Sequence, residues 1–203
     1  VFFYGNELNE KRTFVSYVQG GPLRKILHIL VHPSYEKSRA NRVLMDHLPT
    51  SSYLTSRDLY ELYPTFAIDH KQEQEQLLDC DVLMIQHPLY WYSSPPLFKQ
   101  WMDSVLEHGW AYGEGGTALQ GKTWVQVLTT GGDQKAYSEE GFHKHLLSDF
   151  LLPFQRTAEL CHMQYLSPFV LQGTFKRNDL QLEEEGKRFT NFVECLLSEE
   201  KHG

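Results

Sequence analysis

The chain has 203 residues, 41% of them hydrophobic, and a formal net charge of -7. That length fits one domain with a sizeable core. The negative balance excludes a general nucleic-acid binder, because phosphates would be repelled, and no apolar run approaches the ~20 residues of a membrane span. Cys80, Cys161 and Cys195 are sparse, odd in number and without metal-like spacing, which points to buried thiols in a reducing, cytoplasmic compartment. Cys80 and Cys195 fall in helical patterns and are expected in the core.

Residues 1–23 show no clean periodicity and lack the charged start and apolar centre of a signal peptide. They are read as an extension or remnant, with Gly20-Gly21-Pro22 as a hinge into a domain over 24–203. From there strand and helix patterns alternate. Lys25 to Val31 is a compact apolar strand, and Ser38 to Leu48 carries apolar residues at helical spacing. Tyr53 to Leu59 reads as a weaker strand, followed by a helix from His70 to Cys80 with Leu77 and Leu78 on its apolar side. Val82 to Gln86 is the third strand, and Pro95 to Glu107 a helix with proline in its first turn. Trp124 to Leu128 is the fourth strand. Helices are expected at Phe142 to Leu151 and Phe154 to Cys161, separated near Pro153. Met163 to Leu171 is the fifth strand and Leu180 to Leu197 the terminal helix, whose Glu183-Glu184-Glu185 run is a solvated face. Such alternation predicts an α/β fold with a parallel sheet covered on both faces. Five strands at this length fit a flavodoxin-like three-layer sandwich of order 2-1-3-4-5.

In such folds ligands sit at the carboxyl ends of the strands, and three loops there carry candidate chemistry. The first, His32 to Asn41, places Ser38 and Asn41 beside the free N–H groups of a helix start, where phosphate can bind; on this loop alone an ordinary helix cap is the simpler reading of Ser38. The second, Pro88-Leu89-Tyr90-Trp91-Tyr92, clusters three aromatics between strand and helix, a surface for a flat conjugated ligand or for packing on its own domain. The third, Thr129-Thr130-Gly131-Gly132, allows close backbone approach or is simply a turn. The first loop carries neither GxGxxG nor GxxxxGK[ST], so it is not a dinucleotide or Walker phosphate loop. Together the loops describe a site for a phosphorylated aromatic heterocycle, and FMN fits it better than a naked nucleotide. Tyr137 and His143 follow the glycines and can reach a bound ring to stabilise charge or donate a proton. No HExxH or comparable spacing emerges among the histidines, so no metal site is expected. Trp110 and Tyr112, in GWAYGEGG, are candidates for a pocket wall or a subunit interface, or pack within their own loop.

The segments HPSYEKSRANR, DLYELYPTFAID, QHPLYWYSSPPLFKQW and TTGGDQKAYSEEGFHKH make the chain resemble flavodoxin-fold NAD(P)H:quinone oxidoreductases, and among them the ancillary flavoproteins of bacterial glutathione-gated potassium-efflux systems. The resemblance implies a phosphate loop at His32, Ser38, Arg39, Ala40 and Asn41. It implies ring-side loops at Leu89 to Tyr92 and at Thr129, Thr130, Gly131 and Gly132, and hydride-transfer residues at Tyr137 and His143. Many relatives have Gln where this chain has Tyr90, and tyrosine cannot offer the same amide pair. FMN rather than FAD is the implied cofactor and NAD(P)H the donor. A quinone is the implied acceptor, in a ping-pong scheme, or an azo or nitro compound on the same scaffold. The resemblance also implies a homodimer and an activating role on a potassium-efflux transporter at the inner face of the membrane, with catalysis incidental in the regulatory alternative.

Overall fold

The computed structural model describes residues 23–198. The expected extension and its Gly20-Gly21-Pro22 hinge lie outside the described residues, apart from Leu23. The six strands among the described residues run parallel: β1 (Ile26–Leu30), β2 (Leu54–Asp58), β3 (Val82–Pro88), β4 (Thr123–Thr129), β5 (Gln164–Tyr165) and β6 (Phe169–Leu171). Their order is β2-β1-β3-β4-β5, with β6 also on β4, the flavodoxin-like arrangement that the alternation predicts. Every residue of β1, β3 and β4 is buried. Strands covered on both faces read as continuous apolar runs rather than alternating ones.

Side chains alternate across the sheet and build two cores. Leu27, Ile29, Leu83 and Ile85 pack with Leu77 of α3 (His70–Asp79), Phe98 and Trp101 of α4 (Pro96–Val105), and Phe154 of α5 (Leu147–Leu160). Ile26, Val82, Met84 and Val125 pack with Leu44 of α1 (Arg39–Asp46) and with Phe189 and Val193 of α6 (Asp179–Leu197). Trp110 and Tyr112 pack against the first core, within their own domain. Among the described residues no helix is long and apolar enough to cross a membrane.

Several expectations need correction. The second strand ends at Asp58, whose carboxylate accepts from the N–H of Tyr60 at 2.9 Å and starts a short helix, α2 (Leu59–Leu62). On α3, Leu78 is exposed and the buried positions are Glu73, Gln74 and Leu77. The two helices expected around Pro153 are one, α5. Proline removes one ladder bond, but Leu151, Phe154 and Ala158 hold the helix against the core on both sides of it. Residues 142–146 do not join that helix. Lys144 adopts φ +59°, and the His143 N–H bonds back to the Ala136 carbonyl at 2.9 Å. The fifth strand is split into β5 and β6 because Pro168 between them has no N–H for the ladder. Cys195 is exposed, unlike buried Cys80 and Cys161. Its α6 neighbours Val193 and Leu196 take the core face. Glu183 and Glu184 are exposed as expected, whereas Glu185 pairs with Arg177 and Arg188.

Candidate functional site

Three connections leave the carboxyl ends of β1, β3 and β4 and meet around an open crevice of about 640 Å³. It lies where the chain reverses direction across the sheet, at β1 and β3, the position open α/β sheets use for ligands.

The connection after β1 supplies polar donors. Ser38 caps α1, and its Oγ accepts from the Asn41 N–H at 3.2 Å and from Asn41 Nδ2 at 3.0 Å. A helix start leaves its first N–H groups, here those of Arg39 and Ala40, without intrahelical acceptors. His32 is buried, and its Nδ1 accepts from the Ser34 N–H at 3.1 Å, which leaves Nε2 as the protonated nitrogen. Burial pushes its pKa down, so it enters the crevice as a neutral donor. The Arg39 guanidinium is turned aside, bonded to the Arg177 carbonyl at 3.3 Å and paired with Asp179.

The connection after β3 forms an aromatic wall in an unusual backbone. Tyr90 and Ser93 exchange both main-chain hydrogen bonds, at 3.0 and 2.9 Å, and the turn residues Trp91 and Tyr92 have φ of +49° and +63°. That is the geometry of a tight turn which normally selects Asn-Gly. Holding it with two bulky aromatics stores backbone strain, and such strain clusters at ligand sites. Trp91 is 93% exposed, with no packing to account for its position. Tyr90 meets His32 edge-on at 6.1 Å, and the Leu89 N–H bonds to the Thr129 carbonyl at 2.9 Å, tying this wall to β4.

The connection after β4 forms the floor. A Cβ at Gly131 would come within 2.3 Å of the Phe175 ring, and one at Gly132 within 3.0 Å of Tyr137 and 3.1 Å of His143, so both glycines serve close approach rather than an unusual φ. Thr130 is buried, donating its hydroxyl to the Gly132 carbonyl at 2.7 Å.

The crevice therefore gathers His32, Ser38, Arg39, Ala40 and Asn41 from one side, and Pro88, Leu89, Tyr90 and Trp91 with Thr129 and Gly131 from the other. Tyr92, Thr130, Gly132, Tyr137 and His143 do not line it; they stand beside it. Tyr137 and His143 stack at 4.3 Å with 22° between their rings, and His143 Nδ1 lies 3.4 Å from the Tyr92 hydroxyl. Burial raises the Tyr137 pKa, keeping the phenol protonated. Ser34 and Lys37 of the first loop also line the crevice though the sequence reading does not single them out there, and Thr174 and Phe175 lie outside all three predicted loops. Thr174 and Phe175 follow β6 at the same sheet edge, and the Thr174 N–H bonds to the Thr130 carbonyl at 3.1 Å. Reading the loop after the last strand as a fourth site loop would have found them.

A family model described as a flavodoxin-like fold matches residues 24–193. The chain belongs to this flavodoxin-like family. It is 36% identical to the glutathione-regulated potassium-efflux system ancillary protein KefG of Erwinia tasmaniensis, over 85% of this chain and 94% of that one. The general stress protein 14 of Treponema denticola, solved in complex with FMN, has TM-score 0.80 and 32% identity over 85% of this chain and 99% of that one. An NADPH-quinone reductase from P. pentosaceus has TM-score 0.76 and 26% identity over 87% and 99%. A chain described as a thermophilic tryptophan halogenase from Streptomycin violaceusniger has TM-score 0.80 and 40% identity over 82% and 97%. The names of these relatives differ in activity.

Proposed function

We propose that the chain is an FMN-dependent oxidoreductase that passes two electrons from NAD(P)H to a quinone or similarly flat acceptor, the two substrates occupying the same place in turn. The observation that carries this reading is the pairing, in one crevice, of a donor-rich end with a strained aromatic wall and a glycine floor. Ser38, Arg39, Ala40 and Asn41 would hold the phosphate through hydroxyl and main-chain N–H groups. His32 would add a neutral donor. Pro88 to Tyr92 and Thr129 to Gly132 would flank the ring, with Tyr90 contributing main chain and ring edge rather than an amide. When bound, FMN supplies the two-electron chemistry, and the protein supplies orientation and charge stabilisation. Tyr137 and His143 are the groups placed to donate to a substrate beside the floor. The FMN complex of the Treponema relative and the NADPH-quinone reductase supply the analogy.

A second role is favoured by the name of the KefG relative: an ancillary subunit of a potassium-efflux system. In that role we propose that the chain works at the cytoplasmic face, as a homodimer. A pull-down with the transporter's soluble domain distinguishes that role from catalysis alone.

Purified protein is expected to carry flavin absorbance near one equivalent, bleached by NAD(P)H without oxygen. Colourless protein that refuses added FMN overturns the reading. The strained turn gives a second expectation. Trp91→Gly relieves a left-handed non-glycine residue and raises folding free energy by about 1 kcal/mol, while FMN affinity falls through the lost ring face. Denaturant unfolding of the apoprotein and FMN titration check the two opposed signs. A loss of both stability and affinity contradicts the assignment.

A further inference from the structure

A row of polar side chains crosses the sheet beneath the crevice, buried at its centre, and meets the crevice at Ser38, Asn41 and Thr129. It begins at Ser56 on the edge strand β2, where Ser56 Oγ lies 2.8 Å from His28 Nδ1. His28 Nε2 lies 3.1 Å from Gln86 Oε1. Gln86 Nε2 lies 3.1 Å from Asn41 Oδ1 and 3.3 Å from the Asn41 main-chain carbonyl. Asn41 Nδ2 reaches Ser38 Oγ and Thr129 Oγ1, both at 3.0 Å. His28 and Gln86 are fully buried and Asn41 is 1% exposed.

The direction of every proton in this row follows from one atom. A main-chain carbonyl only accepts, so the amide nitrogen of Gln86 must face Asn41. Gln86 Oε1 then faces His28, which must carry its proton on Nε2 and accept from the Ser56 hydroxyl at Nδ1. The Asn41 Oδ1 accepts from Gln86, so its amide nitrogen faces Ser38 and Thr129. Ser38 Oγ thereby accepts from both the N–H and the Nδ2 of Asn41, its two lone pairs are used, and its own hydrogen is left to point outward. Thr129 Oγ1 accepts from Asn41 through one lone pair and keeps its hydrogen free to donate. Burial, which pushes the His28 pKa down to about 4, keeps the ring neutral and the row in one arrangement at physiological pH.

We infer that Gln86, locked by His28, is a positioning residue that orients Asn41 so that the Ser38 hydroxyl presents only a donor and the Thr129 hydroxyl keeps its hydrogen free to donate, making this end of the crevice selective for a phosphate oxyanion over a neutral hydroxyl chain end. The inference rests on the flavin reading above. A half-satisfied buried amide would let Asn41 rotate. Its Oδ1 would then take the hydroxyl hydrogens, and the donor set facing the crevice would be lost.

The test compares FMN with riboflavin, which lacks the phosphate, by fluorescence titration of wild type and Gln86→Met, together with melting temperature. Wild type is expected to prefer FMN. In Gln86→Met the preference shrinks about tenfold, the value of one lost hydrogen bond to a charged group, while riboflavin affinity keeps its wild-type value. An unchanged preference, or equal loss for both flavins, overturns the inference and leaves Gln86 a structural residue. If wild type binds neither flavin, the flavin reading itself fails. Should Gln86→Met not fold, the 15N shifts of His28 in wild type decide: protonated Nε2 agrees, protonated Nδ1 reverses the row and overturns it.

Discussion

Replacing Glu73 by leucine is expected to remove about 3–5 kcal/mol of folding free energy, the cost of leaving a buried charge without its partner. Glu73 is fully buried and lies 2.6 Å from the Arg57 guanidinium, whose side chain is itself only 14% exposed. The same carboxylate accepts from the Tyr63 hydroxyl at 2.7 Å and from the Trp101 indole N–H at 2.9 Å. One side chain therefore joins β2, α3 and α4, and α4 is the helix that follows the aromatic wall. Burial, and then the carboxylate, raise the Tyr63 pKa to about 12, so the phenol stays a donor. Arg57 Nε is buried without a partner, so the guanidinium already carries a desolvation cost. Adding Arg57→Met to Glu73→Leu should restore part of the loss, because two apolar groups need no pairing; Tyr63 and Trp101 remain unsatisfied and keep the recovery incomplete. Urea unfolding of the single and double variants measures this. A single-variant loss below about 1 kcal/mol would place the pair in the class of weak surface ion pairs instead.

Glu73 also shows where the sequence stops being legible. Its surroundings in α3, HKQEQEQLLD, read as a polar helix with Leu77 and Leu78 as its apolar side. A buried glutamate looks like any solvated one until Arg57, sixteen residues away on another element, is known to face it. The main architecture had the opposite property. The runs KILHILV and VLMI and the helices between them carry local periodicity, and local periodicity with right-handed crossovers restricts the topology. The strand-end loops were legible for the same reason, since a parallel order fixes which loops meet. What escaped was set by tertiary packing. Pro153 reads as a helix break, yet residues on both sides of it are anchored in the core. Phe142 reads as the start of a helix but is 83% exposed in an irregular loop. The Gln86 row escaped because its members sit on four strands and a helix, and their hydrogen-bond directions exist only after assembly.

His143→Ala is expected to slow anaerobic bleaching of the flavin by NAD(P)H about 10²-fold, the usual contribution of a positioned proton donor or acceptor, without changing FMN affinity. The separation of effects follows from position. His143 does not line the crevice, so a ligand held there loses no contact. Its ring instead lies against Tyr137 and beside Gly132, where a Cβ would already crowd it at 3.1 Å. Imidazole is the side chain suited to taking and giving a proton near neutral pH, and Tyr137, kept protonated by burial, can only donate. Tyr137→Phe keeps the stacked ring and loses the hydroxyl, so its rate loss should be the smaller of the two. Stopped-flow reduction across a range of donor concentrations separates the possibilities. Unchanged reduction in His143→Ala removes the residue from the mechanism. A parallel fall in FMN affinity would instead mean that the Tyr137–His143 stack braces Gly132 and acts only by shaping the floor.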